Sequence, residues 1–323
     1  PNIVIIFTDD QGYGDLACYG NKKTKTPRLD QLAKEGTKYT SFYSQTVCGP
    51  SRSALLTGRQ PLRSKGWGMP ASEITWAELI RKAGYQTACI GKWDVSNRKA
   101  IIERMPNAQG FDYYFGALGA NDNGTVRFHE NNKAAGSTKD MGELTTLYTD
   151  KSIAWLKEKR DPEKPFALYL AHTMMHTIID ASDRFRGKSK GGLYGDVVEE
   201  FDFETGRLLD VLDELGLSKN TLVIYTSDNG PWNQDKYTKN KKGHPKDSIF
   251  WAIRGRYGME RDRPTRAVID CPASCAGREM FPPDRSPRRF LLQLILCRPS
   301  RSSVVLKFQM IVALTASTRP ICC

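Results

Sequence analysis

The chain has 323 residues, 39% of them hydrophobic and 26% charged, with a formal net charge of +12. That length supports one large α/β domain, or two smaller ones, with a substantial core. The composition excludes a low-complexity chain, and apolar runs such as residues 3–7 are far too short to cross a bilayer.

Taken in chain order, Asn2–Thr8 is a continuous Ile/Val-rich run, the pattern of a strand buried on both faces. Pro27–Glu35 reads as a short helix closed by Gly36, and residues 37–42 as a second strand. Residues 75–83 form a helix by pattern: Thr75 caps it, Trp76, Leu79 and Ile80 recur at helical spacing, and Gly84 stops it. Residues 86–90 read as strand, 144–158 as helix, Phe166–Ala171 as strand, 193–215 as a long helix before Gly216, and 221–226 as strand. This alternation predicts a three-layer α/β/α fold, a mostly parallel sheet with helices on both faces.

The charge is unevenly placed. Residues 252–323 hold 13 Lys+Arg against 5 Asp+Glu, a net +8, which leaves +4 on residues 1–251. Nucleic-acid binding calls for a basic stripe interleaved with aromatics, and the body has none, so no nucleic-acid partner is expected. Five of the eight cysteines also lie in the last stretch. The other three, Cys18, Cys48 and Cys89, are too scattered for a disulfide framework. With no CxxC pair and no histidine beyond His244, zinc is not expected either.

Open parallel sheets bind ligands at the carboxyl ends of their strands. The residues at those ends here are Asp9-Asp10, Gly91-Lys92-Trp93-Asp94, His172 to His176, and Asp228-Asn229. Adjacent carboxylates repel and are costly to hold together without a cation. Three carboxylates and an amide oxygen suit a hard ion, calcium or magnesium. Either pair alone is ordinary turn chemistry; together on two strand ends they point to metal. Pro50 suits a helix start, which puts Cys48 at the positive end of a short helix where an anion is favoured.

The run Cys48-Gly-Pro50-Ser51-Arg52-Ser-Ala-Leu-Leu-Thr57-Gly58-Arg59 resembles the signature of the type I sulfatases, arylsulfatase A-like members of the alkaline-phosphatase superfamily. The resemblance extends over residues 1–251 and includes the opening strand with Asp9-Asp10, the Gly91-Lys92-Trp93 segment, the strand before His176, and residues 221–232. It implies that Cys48 is oxidised to formylglycine by a sulfatase-maturing enzyme. One hydroxyl of the aldehyde hydrate would attack sulfur, and the other would release sulfate. It implies one calcium ion held by Asp9, Asp10, Cys48, Asp228 and Asn229. Arg52 would steady this assembly, Lys92 would bind sulfate oxygens, and His176 would be the leaving-group acid or a sulfate ligand. The implied substrate is a sulfated carbohydrate or an aryl sulfate, and the implied location periplasmic or secreted, with an upstream piece ahead of Pro1 that was trimmed or never included.

Two departures stand out. The family has a histidine two positions after the lysine, and this chain has Asp94, an anion that cannot donate to sulfate and would repel it. A further polar sulfate contact is expected near residues 116–122, from Asn121 or Asp122. After Trp251 the alternating pattern stops. Synonymous codons exist for residues 252–269 that, read two bases later, encode Asp-Ser-Gly-Pro-Leu-Arg-Asp-Gly-Lys-Gly-Ser-Thr-Tyr-Glu-Gly-Gly-His, a continuation with a sulfate-binding lysine. Residues 252–323 are therefore expected to be out of frame and poorly ordered, with the C-terminal subdomain missing or scrambled. Two rival readings remain: a phosphatase or phosphonate hydrolase of the same superfamily, and an inactive product that keeps metal or anion binding. Among body histidines only His129, His172, His176 and His244 occur, and none adjoins Asp228-Asn229, which favours one oxygen-bound ion over a two-metal phosphatase site.

Overall fold

The computed structural model describes residues 1–40, 42–231 and 273–276. β1 (Asn2–Thr8) lies within a nine-stranded sheet, and its side chains divide between two cores. Val4 and Ile6 pack on one face with residues of α1 (Pro27–Glu35), α5 (Leu144–Ala154) and α6 (Gly192–Glu214). Ile3, Ile5 and Phe7 pack on the other with Leu56 of α2 (Cys48–Thr57) and with Trp76, Ala77 and Ile80 of α4 (Trp76–Lys82). A single turn, α3 (Pro61–Ser64), follows α2. Alternate residues of a strand point to opposite faces, so a strand apolar throughout is what a covered central position selects.

The strand order is β2-β9-β8-β1-β7-β3-β4-β5-β6. The five central strands, β8 (Thr221–Ser227), β1, β7 (Phe166–Ala171), β3 (Gln86–Lys92) and β4 (Tyr113–Ala117), pair in parallel. β5 (Val126–Glu130) and β6 (Lys133–Thr138) add an antiparallel hairpin at one edge. At the other, β9 (Ala273–Ala276) runs antiparallel between β8 and β2 (Thr37–Tyr39). The fold class is thus α/β, a mostly parallel sheet with helices on both faces, with mixed edges that the sequence pattern did not reveal.

Local chemistry accounts for the helix boundaries. Thr75 and Glu78 form a reciprocal capping box: Glu78 N donates to Thr75 Oγ1 at 3.2 Å and Thr75 N to Glu78 Oε2 at 2.8 Å. α1 opens on Pro27, and its exposed N–H groups are met by Asp202 of α6, which accepts from Leu29 N at 2.8 Å and Arg28 N at 3.2 Å. The helix expected over residues 144–158 changes pitch at Trp155, where a π turn (Trp155–Lys159) lets Trp155 and Leu156 both enter the core. The strand expected over 37–42 shortens to β2, and that over 86–90 lengthens to Lys92. Of the stretch 252–323, the described part is β9, which is sheet; the rest of that expectation lies outside the described residues. Among the described residues no helix is long and apolar enough to cross a membrane.

Candidate active site

Parallel pairing brings four strand ends together. β1 sits between β7 and β8, with Phe7 opposite Ala171 and Thr8 opposite Ser227. Backbone bonds continue past the strands: Asp228 N donates to Thr8 O at 3.1 Å, His172 N to Phe7 O at 2.8 Å, and Asp9 N to Met174 O at 2.9 Å. Gly91, at φ +110°, allows β3 to close on β7 just before Lys92; a β-carbon there would lie 2.0 Å from Ala171 O. Asp9, Asp10, Cys48, Arg52, Lys92, His176, Asp228 and Asn229 are all buried at this one edge.

Their contacts are specific. Cys48, the first residue of α2, places Sγ 3.4 Å from Asp9 Oδ1. Lys92 Nζ donates to Asp9 Oδ2 at 2.5 Å. Arg52 donates through Nε and Nη2 to Asp228 Oδ2 at 3.1 and 2.8 Å, and through Nη1 and Nη2 to the carbonyls of Lys92 and His172 at 3.1 and 3.2 Å. Asn229 Nδ2 donates to Asp10 Oδ1 at 2.5 Å. His176 Nε2 lies 3.9 Å from Asp10 Oδ2 and 3.5 Å from Asp122 Oδ1.

The oxygen donors of Asp9, Asp10, Asp228 and Asn229 suit a hard divalent cation, whereas the Cys48 thiol is a soft donor that would join them only once converted to an oxygen ligand. One ligand atom each from Asp9, Asp10, Cys48 and Asp228 lies within 4.8 Å of all the others. Oxygens on opposite sides of a calcium ion at its usual bond lengths are roughly 5 Å apart. Asn229 Oδ1 is buried with no hydrogen-bond partner among the described residues, as a carbonyl reserved for an ion would be.

The electrostatics agree. Burial raises the Asp228 carboxyl, and Asp9 adds to it; Arg52 and Lys92 offset this only in part, and the group is pushed up to about 8. Burial would raise Asp9 as well, yet Lys92, His176 and Arg52 outweigh it and hold Asp9 well below the usual carboxylate range. Lys92 and Arg52 are both pushed up: burial opposes their charge, but Asp9 and Asp94 hold the Lys92 proton, and Asp228 leads in holding that of Arg52. Burial and then Asp9 push the Cys48 thiol well up. The carboxylates of Asp9, Asp10 and Asp228 outnumber the cations Lys92 and Arg52 here, an excess of negative charge that a dication would more than offset.

The expected residues that stand apart are also clear. His172 is buried between Tyr148 and Phe201, ring centroids 5.3 and 4.8 Å away, and its Nδ1 accepts from Met174 N. Burial lowers it to about 3. It is a packed histidine, not a site residue. Asn121 is buried and ties down the His176 loop, donating to His176 O at 3.0 Å and Ile178 O at 2.5 Å, whereas Asp122 faces His176 itself. Asp94 is buried beside Lys92 with Trp67 and Arg98 as donors. Sequence reasoning passed over those two. An oppositely charged residue four positions after Asp94 was the available signal for Arg98.

A mostly parallel α/β sheet with acidic residues, a helix-start cysteine and two cations at the carboxyl edge of its strands matches the alkaline-phosphatase-like architecture that the sequence resemblance implied. The Sulfatase family model matches residues 1–254, and the chain belongs to that family. It is 37% identical over 265 residues to the N-acetylgalactosamine-6-sulfatase of Rattus norvegicus, covering 71% of this chain and 50% of that protein. It is 36% identical over 268 residues to arylsulfatase A of Homo sapiens, covering 72% and 52%. The chain thus spans about half the length of these curated relatives. Among solved structures, one described under metabolism of multiple glycosaminoglycans by Bacteroides thetaiotaomicron superposes with a TM-score of 0.77 at 24% identity, covering 99% of this chain and 83% of that one. The PsFucS1 sulfatase from Pseudoalteromonas sp. superposes at 0.67 with 25% identity, covering 87% and 63%.

Proposed function

We propose that this chain is built to hydrolyse sulfate esters, with Cys48 converted to formylglycine and one calcium ion held by Asp9, Asp10, Cys48, Asp228 and Asn229. The observation that carries this reading is the convergence of the Asp9, Asp10, Cys48 and Asp228 ligand atoms within 4.8 Å. When bound, calcium would polarise a sulfate oxygen, and the aldehyde hydrate at position 48 would supply the nucleophilic hydroxyl. Lys92 binds the sulfate oxygens from the β3 end and offsets charge growing on the leaving oxygen. His176, beside Asp10 and Asp122, gives its proton to the leaving group. Arg52 holds Asp228 and the carbonyls of residues 92 and 172, and so fixes three strand ends relative to α2. The burial of every one of these groups excludes bulk water and strengthens their electrostatics.

The substrate class is a sulfated carbohydrate before an aryl sulfate, a reading supported by the N-acetylgalactosamine-6-sulfatases among the relatives. A maturing enzyme for Cys48 and an exported, periplasmic or secreted setting complete the proposal. Residues 1–251 form the catalytic α/β domain, and 252–323 are an out-of-frame tail. The family match ends at residue 254, next to the change of pattern after Trp251. That ending also favours a second reading, a chain that binds metal and anion without turnover. Sequencing the gene tests the tail: a second frame without a sulfatase continuation overturns it.

Activity is tested on the full chain co-expressed with a maturing enzyme. Peptide mass spectrometry over residues 47–59 reads the aldehyde, and sulfate release from a chromogenic aryl sulfate is measured with calcium. Turnover that disappears in Cys48→Ala supports hydrolysis. An aldehyde-bearing chain that releases no sulfate leaves the binding-only reading, and release of phosphate from the matching aryl phosphate in its place identifies a phosphatase.

A further inference from the structure

Asp94 has no access to solvent, and its Oδ2 lies 3.4 Å from Lys92 Nζ. Lys92 is already committed to Asp9 at 2.5 Å. A second buried carboxylate next to this ammonium competes for it, and an uncompensated buried charge is costly. The compensation comes from Arg98, whose Nε donates to Asp94 Oδ1 at 2.9 Å. The same guanidinium reaches on through Nη1 to Asp122 Oδ2 at 2.8 Å, and Asp122 Oδ1 lies 3.5 Å from His176 Nε2. Four polar contacts therefore join Lys92 to His176: Lys92–Asp94, Asp94–Arg98, Arg98–Asp122 and Asp122–His176.

The links differ in weight. The Arg98–Asp122 pair is partly exposed, and solvent screens it. The Arg98–Asp94 contact has one partner wholly buried, so losing it leaves a charge that solvent cannot reach. The nearest cation to receive that charge is Lys92.

We propose that Arg98 is a positioning residue for the sulfate site. Through Asp94 it keeps Lys92 directed at Asp9 and the incoming anion, and through Asp122 it holds the ring of His176 at a fixed distance from Lys92. The proposal rests on the reading of this edge as a sulfate site. Its consequence is specific: the harm done by removing Arg98 is the charge left on Asp94, so removing that charge as well repairs the site.

The test is calorimetric titration of inorganic sulfate into the full chain with calcium present, which requires no modification at Cys48. Arg98→Ala is expected to weaken sulfate binding about tenfold, Arg98→Lys by less, and Arg98→Ala combined with Asp94→Asn to return within about threefold of wild type. Wild-type binding that Arg98→Ala leaves unchanged overturns the proposal alone. So does a double variant as weak as Arg98→Ala, since a purely structural role gives no rescue. If Arg98→Ala does not fold, the neutral Arg98→Gln takes its place, alone and combined with Asp94→Asn, with the same expected and overturning results. A wild-type chain that binds no sulfate overturns the sulfatase reading, and this proposal with it.

Discussion

Gly49 lies against the indole of Trp67, so closely that a β-carbon on Gly49 would sit 2.3 Å from Trp67 Cδ1. The ring is held in place. Its Nε1 donates to Asp94 Oδ2 at 3.1 Å, and Asn97 N donates to Trp67 O at 2.7 Å. The indole therefore relieves a clash only by giving up a bond to a buried carboxylate. Gly49→Ala is expected to destabilise the chain by about 1–3 kcal/mol, the usual range for overpacking, and to displace the first turn of α2 with Cys48 on it. Urea unfolding of the two proteins checks this; equal midpoints would mean that the ring yields freely.

Asp15 offers a pH test away from the proposed metal ligands. It is buried, accepts from Tyr194 Oη at 2.6 Å and Gly12 N at 2.8 Å, and burial, outweighing those bonds, pushes its carboxyl up to about 7 from 3.8. A carboxyl whose folded value is raised binds its proton more tightly in the folded state. Its contribution is full below about pH 4 and is lost as pH rises through about 7. Asp15→Asn removes that loss. Relative to wild type, the variant should gain roughly 2–3 kcal/mol of unfolding free energy between pH 5 and pH 8. Asp202, also pushed up to about 7 by burial, titrates in both proteins and cancels in the difference. A difference that stays constant with pH would mean that Asp15 ionises in the folded chain as it does in water.

What the sequence disclosed follows the range of the interactions involved. β1, β7 and β8 were legible because full burial on both faces leaves an unbroken apolar run. The hairpin of β5 and β6 was not, since β6 is largely exposed and carries no alternation. The eight residues of the candidate site were legible because each sits on a strand end or in the Cys48–Arg52 motif. Arg98 lay four residues after Asp94, a local signal that was passed over. Trp67 was hidden for the opposite reason: it meets Asp94 where the isolated Gly68–Ser96 bridge joins two loops, and no local pattern records that pairing.

Arg52 separates the effect of charge from that of shape. Its guanidinium satisfies Asp228 twice and two backbone carbonyls once each, all without solvent. Lysine keeps the charge but has a single nitrogen that cannot reach those positions together. Arg52→Met removes the cation paired with Asp228, leaving it the Asp10 N–H bond, and is expected to cost about 3–5 kcal/mol. Arg52→Lys should fall between that and wild type, and both should raise hydrogen-exchange rates at the ends of β3 and β7. Arg52→Lys unfolding at the wild-type midpoint would assign the residue a charge role only.

The calcium reading makes two opposed demands on Asp10. Without an ion, its carboxylate adds to the crowding that raises Asp228, so Asp10→Asn relieves repulsion. Asparagine also tolerates the left-handed backbone at this position, φ +53°. With an ion, the same substitution removes a charged ligand. In chelator the variant should therefore melt no lower than wild type. In excess calcium, wild type should gain about 2.7 kcal/mol at a hundredfold excess over the dissociation constant, and Asp10→Asn should gain much less. Thermal melts of both chains in chelator and in calcium measure all four states. If calcium raised the two equally, the ion would be held elsewhere, and the grouping of Asp9, Asp10, Cys48 and Asp228 would have to be explained by its hydrogen bonds alone.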